Sequence, residues 1–440
     1  MKKENDLNGV FRSLLPEIGK AVSEAGYHTP SPIQEESIPA LLDGQDLIGC
    51  AQTGTGKTAA FSLPILQYLT RGKKRPASKK PLALILAPTR ELAAQIGESI
   101  AKYGKHTPIT HTVIFGGVGQ NPQVKAIRRG VHVLVATPGR LIDLMNQGHI
   151  DLSAVEIFVL DEADRMLDMG FIHDIKKVIA KLPKKRQSLF FSATMEPKVT
   201  QLAQTLVHNP KHVSIEPEKP AVDRIVQKIM FVDKKQKDEL IVSLLSNKKL
   251  DRVIVFTQMK HVANKVVRKL EGAGITAAAI HGNKSQTART KALADFKNGR
   301  VRVLVATDIA ARGIDVDGIS HVINYDMPVE PETYVHRIGR TARAGAEGDA
   351  ISLCCAPERD YLRAIERLIR ISIPVDLKHA LHSEKAMNAT GADAKPGPKV
   401  RQPRQKVVAG ANGRAKIKGR GGKGGKRPPR IQSRRRVQSA

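Results

Sequence analysis

The chain has 440 residues, 41% of them hydrophobic, a size that suits two ordinary domains with extensions. Its 72 Lys+Arg against 42 Asp+Glu give a formal net charge of +30, which points to polyanionic partners or, more blandly, to charge used only for solubility. Cys50, Cys354 and Cys355 fit neither zinc-ligand spacing nor a disulfide framework, and no run is long and apolar enough to cross a bilayer. The start, MKKENDLNGV, lacks the apolar stretch of a secretory leader, so a reducing, cytoplasmic location is expected.

Along the chain, short apolar runs alternate with helical patterns. LALILA (82–87), VHVLVA (131–136), EIFVL (156–160) and SLFF (188–191) form one series. RVIVF (252–256), AAAI (277–280), VRVLVA (301–306) and HVINY (321–325) form a second. Continuous β-branched and leucine-rich runs read as parallel strands buried on both faces. The segments between them, such as 90–104 and 286–298, repeat apolar residues every three or four positions. The fold class is therefore α/β, with two tandem doubly wound parallel sheets. The expected domains are 1–207 and 223–375, joined by a proline-bearing linker at 208–222. Residues 376–440 are expected to be a disordered basic tail. Its last fifty residues hold 16 Lys+Arg and one acid, Asp393, with no Phe, Tyr or Trp.

Ala51, Gln52, Thr53, Gly54, Thr55, Gly56, Lys57 and Thr58 follow the apolar run DLIGC and open a helical one. In that context small residues let backbone N–H groups approach phosphate oxygens at a helix N-terminus. Lys57 would reach the β- and γ-phosphates of ATP, and Thr58 would bind Mg²⁺. The usual first glycine of such a loop is Ala51 here. VLDEAD (159–164) places Asp161 and Glu162 at the carboxyl end of a strand, where α/β sheets hold their ligands. Asp161 suits the metal shell and Glu162 the base for the attacking water. Two solvated acids at a strand end would be the bland alternative; the preceding phosphate loop argues against it.

Asp-Glu-Ala-Asp and the blocks around it resemble the DEAD-box RNA helicases, over roughly Phe11 to Ile369. The resemblance implies two RecA-like domains and an RNA-dependent ATPase with ATP and Mg²⁺ as cofactors. It implies that Gln34, in GYHTPSPIQ, reads the adenine edge. An upstream aromatic usually packs on the base; Phe11 is the candidate, but it lies about two residues too close and Gly9 stands in the expected place. Arg90 in PTRELA, Gly117 after Gly116, and Thr137 and Arg140 in TPGR resemble RNA-facing blocks. Asp164, Ser192 and Thr194 resemble the elements that couple hydrolysis to duplex opening. In the second half, Gln286, Arg289 and Thr307 fall where the family touches the RNA backbone, and Asp315 where it reaches the ribose. Arg340 and Arg343 of HRIGRTAR resemble arginine fingers, with His336 linking them to Asp164.

Segments such as GGVGQNPQ and LDEADRMLDMGF most resemble the RhlE-like subgroup. Contacts of this kind hold the sugar–phosphate chain, so weak sequence preference is expected, with 2′-hydroxyls separating RNA from DNA. RNA is the expected partner, with ribosomal or RNA-decay complexes as further candidates, no membrane, and a monomeric state. A non-enzymatic RNA-binding or annealing protein and a DNA-directed helicase are the competing readings.

Overall fold

The computed structural model describes residues 7–52, 54–215, 225–311, 316, 318–341 and 348–395. Two parallel sheets organise them. The first contains β1 (Leu47–Cys50), β2 (Ala83–Leu86), β3 (His111–Ile114), β4 (Val133–Ala136), β5 (Ile157–Leu160), β6 (Gln187–Ser192) and β7 (Lys211–Ser214), in the order β3-β4-β2-β5-β6-β1-β7. The second contains β8 (Ile225–Phe231), β9 (Val253–Thr257), β10 (Ala277–Ile280), β11 (Val303–Thr307), β12 (His321–Asn324) and β13 (Gly348–Cys354), in the order β10-β11-β9-β12-β13-β8. Strands β2, β4 and β5 are buried at every position, which is what continuous apolar runs require when helices cover both faces. The expected α/β class and two-sheet organisation are thus the observed ones.

Local chemistry sets the helix starts nearest the cleft. At the head of helix Pro32–Leu42 the Gln34 side-chain oxygen accepts the Ser31 amide at 2.9 Å, one arm of a capping box. The Thr89 hydroxyl accepts the Leu92 amide at the start of helix Arg90–Tyr103. The Ser285 hydroxyl accepts the Ala288 amide at the start of helix Gln286–Lys297. Each cap satisfies an amide that has no partner within its own helix.

Two expectations are corrected. The linker expected at 208–222 contributes β7, which pairs in parallel with β1; residues 216–224 lie outside the described residues. Only Val213 of β7 is buried, so an edge strand with one core contact carries little periodic signal. The tail expected from 376 begins with ordered chain. Val375 bridges Ile229, the Ser383 amide donates to the Phe231 carbonyl, and Arg359 and Arg363 bond the carbonyls of Met387 and Ala389. Ala386, Ala389 and Ala394 are buried. Small side chains gave no hydrophobic run to read, yet they fit against strand and helix because they are small. Residues 396–440 lie outside the described residues.

Two truncations test this boundary. Ending the chain after Val375 exposes the Phe231 edge and removes the Ser383 amide and the Met387 and Ala389 carbonyls from their partners Phe231, Arg359 and Arg363, each lost hydrogen bond contributing about 0.5–1.5 kcal/mol. The melting midpoint should fall by several degrees, whereas ending after Lys395 should leave it unchanged.

Candidate active site

The phosphate loop runs from β1 into helix Lys57–Gly72. Gly54 and Gly56 adopt φ of +86° and +96°, a region costly for residues with a Cβ. Gly56 meets a second demand: a Cβ there would lie 2.4 Å from Gln34 Nε2 and 2.8 Å from Ser31 Oγ. Lys57 is buried, and its ammonium donates to the Ala51 carbonyl at 2.6 Å. The Ala51 amide in turn donates to the Ser192 carbonyl at 3.0 Å. Ala51 is buried at that junction. Thr55 Oγ1 donates to the Gln52 carbonyl, and Thr58 lies half-buried on the first helical turn. Thr53 lies outside the described residues.

The adenine-reading expectations meet a different local structure. Gln34 is buried and both ends of its amide are engaged: Oε1 accepts the Ser31 amide at 2.9 Å and Nε2 donates to the Gly56 carbonyl at 3.1 Å. It therefore braces the phosphate loop. Phe11 is buried in the first lobe's core because the short 3₁₀ turn Gly9–Ser13 directs its ring inward. At Gly9, with φ +51°, a Cβ would stand 1.9 Å from Glu35 Oε1, so that place is shaped for a residue without a side chain.

Asp161 and Glu162 leave the end of β5 and are both buried. The Glu162 amide donates to Asp161 Oδ1 at 2.9 Å. Glu162 itself takes φ +53°, a conformation that costs about 1–3 kcal/mol outside glycine and persists only where surrounding structure imposes it. Burial pushes the Asp161 carboxyl upward, opposed by the Lys57 charge and reinforced by Glu162. Burial also acts to raise Glu162, but the positive charges of Arg165, Lys57 and Arg340 outweigh it and hold this carboxyl below its ordinary value. Arg340 belongs to the second lobe, so cations from both lobes converge on one first-lobe carboxylate. Asp164 Oδ2 accepts the amides of Ala193 and Thr194, each at 3.2 Å, and the Ser192 hydroxyl accepts the Asp164 amide at 3.3 Å. The three expected coupling residues are one connected group.

In the second lobe, helix Pro331–Ile338 presents His336. Burial, together with the Arg165 and Arg340 charges, lowers the His336 pKa, while Asp164 and Asp168 act to raise it. Arg340 is buried, and its Nε donates to the His336 carbonyl at 3.3 Å. Arg337, which was not singled out in the sequence, anchors this element. It is 1% exposed, donates through Nε and Nη2 to the two oxygens of Asp308 at 2.5 and 2.8 Å, and reaches the Asp326 carbonyl at 2.6 Å. Asp315 and Arg343 lie outside the described residues.

A second junction between the lobes gathers residues expected to face RNA. Gln286 Nε2 donates to Glu91 Oε1 at 3.1 Å, Arg289 pairs with Glu91 Oε2 at 2.9 Å, and Arg90 approaches Gln286 Oε1 at 3.5 Å. Arg90 also lies flat against Gly117, where a Cβ would fall 2.0 Å from its Nη1. Arg140 Nη2 donates to the Val118 carbonyl at 3.1 Å and thereby holds the glycine turn. Thr137 stands buried at the head of helix Pro138–Asn146, and Thr307 half-buried at the end of β11. Glu91 was missed from sequence because its partners lie about two hundred positions away. The only local signal was an acid that the helical pattern of PTRELA would bury.

A family model of DEAD/DEAH box helicases matches residues 31–202, and one of the helicase conserved C-terminal domain matches residues 236–345. The DEAD-box ATP-dependent RNA helicase CshA of Bacillus licheniformis is 42% identical over 354 residues, which span 80% of this chain and 72% of that protein. Among solved structures, S. cerevisiae Dbp5 bound to RNA and ADP BeF3 aligns with a TM-score of 0.73 at 34% identity, covering 84% of this chain and 95% of that one. Mss116p bound to ssRNA and AMP-PNP aligns with a TM-score of 0.72 at 29% identity, covering 85% and 81%.

The Glu91–Arg289 pair is buried from both sides, its side chains 4% and 10% exposed. A double-mutant cycle with Glu91→Ala and Arg289→Ala, read by a distance reporter between the lobes in RNA and an ATP analogue, should give a coupling of about 0.5–3 kcal/mol in favour of closure. Additive effects would show that the pair does not join the lobes in solution.

Proposed function

Taking as premise that the chain belongs to the DEAD-box family of ATP-dependent RNA helicases, we propose that its two lobes divide one hydrolytic site and assemble it by closing over ATP and RNA. The observation that carries this reading is that Arg165, paired with buried Glu162, lines one cavity with His336 and Arg340 of the second lobe. Neither lobe alone supplies the full set of charges.

In this reading the loop residues Ala51 to Thr58 cradle the phosphates, and Lys57 exchanges the Ala51 carbonyl for phosphate oxygen. Glu162 takes the proton of the attacking water. Arg340 and Arg343 stabilise the charge spreading over the transferring phosphoryl group, and Asp315 holds the ribose. The site suits Mg²⁺: Asp161 is a buried carboxylate at a strand end, and Thr58 offers a hydroxyl on the first helical turn after the phosphate loop. Among the described residues no three His, Cys, Asp or Glu side chains converge on a metal-sized space. That favours an ion held by one carboxylate, a hydroxyl and the nucleotide's own oxygens. When bound, the ion would neutralise phosphate charge.

RNA would lie along Arg90, Gly117, Thr137 and Arg140 of the first lobe and Gln286, Arg289 and Thr307 of the second. These groups recognise the sugar–phosphate chain, which supports weak sequence preference. We place the lobe boundaries at the end of β7 and the start of β8, and extend the second lobe to about residue 395. The Bacillus relative carries the name CshA, so an RhlE-like placement rests on the segments around 116–123 and 160–171 alone. A cytoplasmic monomer acting on ribosomal or RNA-decay complexes completes this reading, the net charge of +30 supporting a polyanionic partner. The +15 of residues 391–440 suits a nonspecific RNA tether.

Phosphate release measured with and without RNA tests the central reading. Turnover should rise with RNA and fall about 10²–10⁴-fold in Glu162→Gln, while that variant still binds RNA in the presence of ATP. Turnover indifferent to RNA would refute the shared site. For the tether, removing residues 396–440 should make RNA affinity less salt-dependent, by about 0.7 in log–log slope for each phosphate that the segment neutralises. An unchanged slope would leave the extension without a part in binding.

A further inference from the structure

Arg165 was assigned no role in the sequence, yet it stands between Glu162 and the second lobe. It stands three residues beyond Glu162 on the short helix Ala163–Asp168, so its side chain returns over the carboxylate. Its Nη1 donates to Glu162 Oε2, and the two side chains are 12% and 6% exposed. Its amide is fixed as well, donating to Asp164 Oδ1 at 2.9 Å. The opposite side of the guanidinium faces a small cavity whose other walls come from the second lobe, among them Phe256, Asp308, His336, Arg337 and Arg340.

This placement has an electrostatic logic. Arg337 is neutralised by Asp308. On the same wall Arg165 stands near Arg340, a like charge, so its own pairing with Glu162 eases the approach. The Glu162–Arg165 pair therefore lies directly against the second-lobe wall. A carboxylate has two oxygens, and only Oε2 is committed to Arg165. The other is left to accept a proton.

We propose that Arg165 is a positioning residue for hydrolysis: it holds Glu162 Oε2 so that Oε1 faces the attacking water, and the second-lobe wall keeps it there only when the lobes are closed. This rests on the reading of Glu162 as the base. No bond is made or broken by Arg165 itself; the water proton passes to Oε1 as the water oxygen bonds to the γ-phosphorus, the bond from that phosphorus to the β,γ-bridging oxygen breaks, and ADP leaves with that electron pair.

The test uses the full chain, with ATPase rates at saturating RNA and varied ATP for Arg165→Met, Arg165→Lys, Glu162→Gln and the double variant Glu162→Gln/Arg165→Met. Misplacing a base by about 1 Å can lower a rate by about 10²-fold. Arg165→Met should accordingly lower kcat by about tenfold to a hundredfold with KM for ATP within about twofold, and Arg165→Lys should recover part of it. In the Glu162→Gln background the Arg165 change should have no further effect, an outcome that general damage to the fold would not produce. If Arg165→Met fails to fold, Arg165→Gln takes its place in both backgrounds. Unchanged or faster turnover in Arg165→Met, or an equal loss in both backgrounds, overturns the positioning role while leaving Glu162 as the base. Parent-like turnover in Glu162→Gln would instead overturn the base assignment and this proposal with it.

Discussion

Charge that cannot reach water governs the cleft. Asp161, Glu162, Lys57 and Arg340 are all buried, and an isolated ionised group in such a place is costly unless matched by its opposite. The first lobe supplies the acids with one lysine and one nearby arginine, and the second supplies further cations. The two sets face one another across the cleft, with Arg165 and Arg340 lining one cavity. A polyanionic triphosphate would add negative charge at the same point and so call for those second-lobe cations more strongly. Closure, nucleotide binding and catalytic competence are thereby aspects of one balance of charges.

The far junction follows the same rule with a different ligand in view. Glu91 is a buried first-lobe acid bound by Gln286 and Arg289 of the second lobe. Those second-lobe residues, with Arg90 and Gly117 opposite, also belong to the proposed RNA track. A strand laid there would share groups that already hold the lobes together, so RNA and ATP would each favour the same closed arrangement, and by linkage each would raise the affinity for the other. Between the two junctions lies the Asp164 carboxylate, which accepts backbone amides from Ala193 and Thr194. It gives the nucleotide side a direct mechanical connection to the segment after β6.

Precision at the cleft depends on buried polar networks deeper in the second lobe. Lys237 is 2% exposed, yet it bonds the Tyr325 carbonyl at 2.7 Å and Glu358 at 2.6 Å. Glu358 also accepts the Met327 amide. The neighbouring Asp326 carbonyl accepts Arg337, so one chain of partners runs from the lobe's interior to the helix bearing His336 and ends beside Arg340. Satisfied networks of this kind rigidify the elements they join, which suits a lobe that must present guanidinium groups in register with a carboxylate on another domain.

The sequence alone determined what is local or periodic. Buried parallel strands announce themselves as continuous apolar runs, and AAAI at 277–280 coincides with β10. The phosphate loop, the Asp-Glu pair at a strand end and the HRIGR cluster are legible because each function is carried by contiguous residues. Strands β3, β7 and β8 were not read, since an edge strand shows only part of the apolar signal, and β13 was not because Gly348, Asp349 and Ser352 break its apolar run although it lies inside the sheet. Tertiary structure decided whatever depended on distant partners or on shape. It turned Phe11 inward, committed Gln34 to Gly56, packed the alanines of 386–394 on the second lobe, and set Glu91 against Arg289 and Arg165 against the second-lobe cavity. Those outcomes follow from burial and charge pairing between positions up to about two hundred residues apart, and no window along the chain contains both partners.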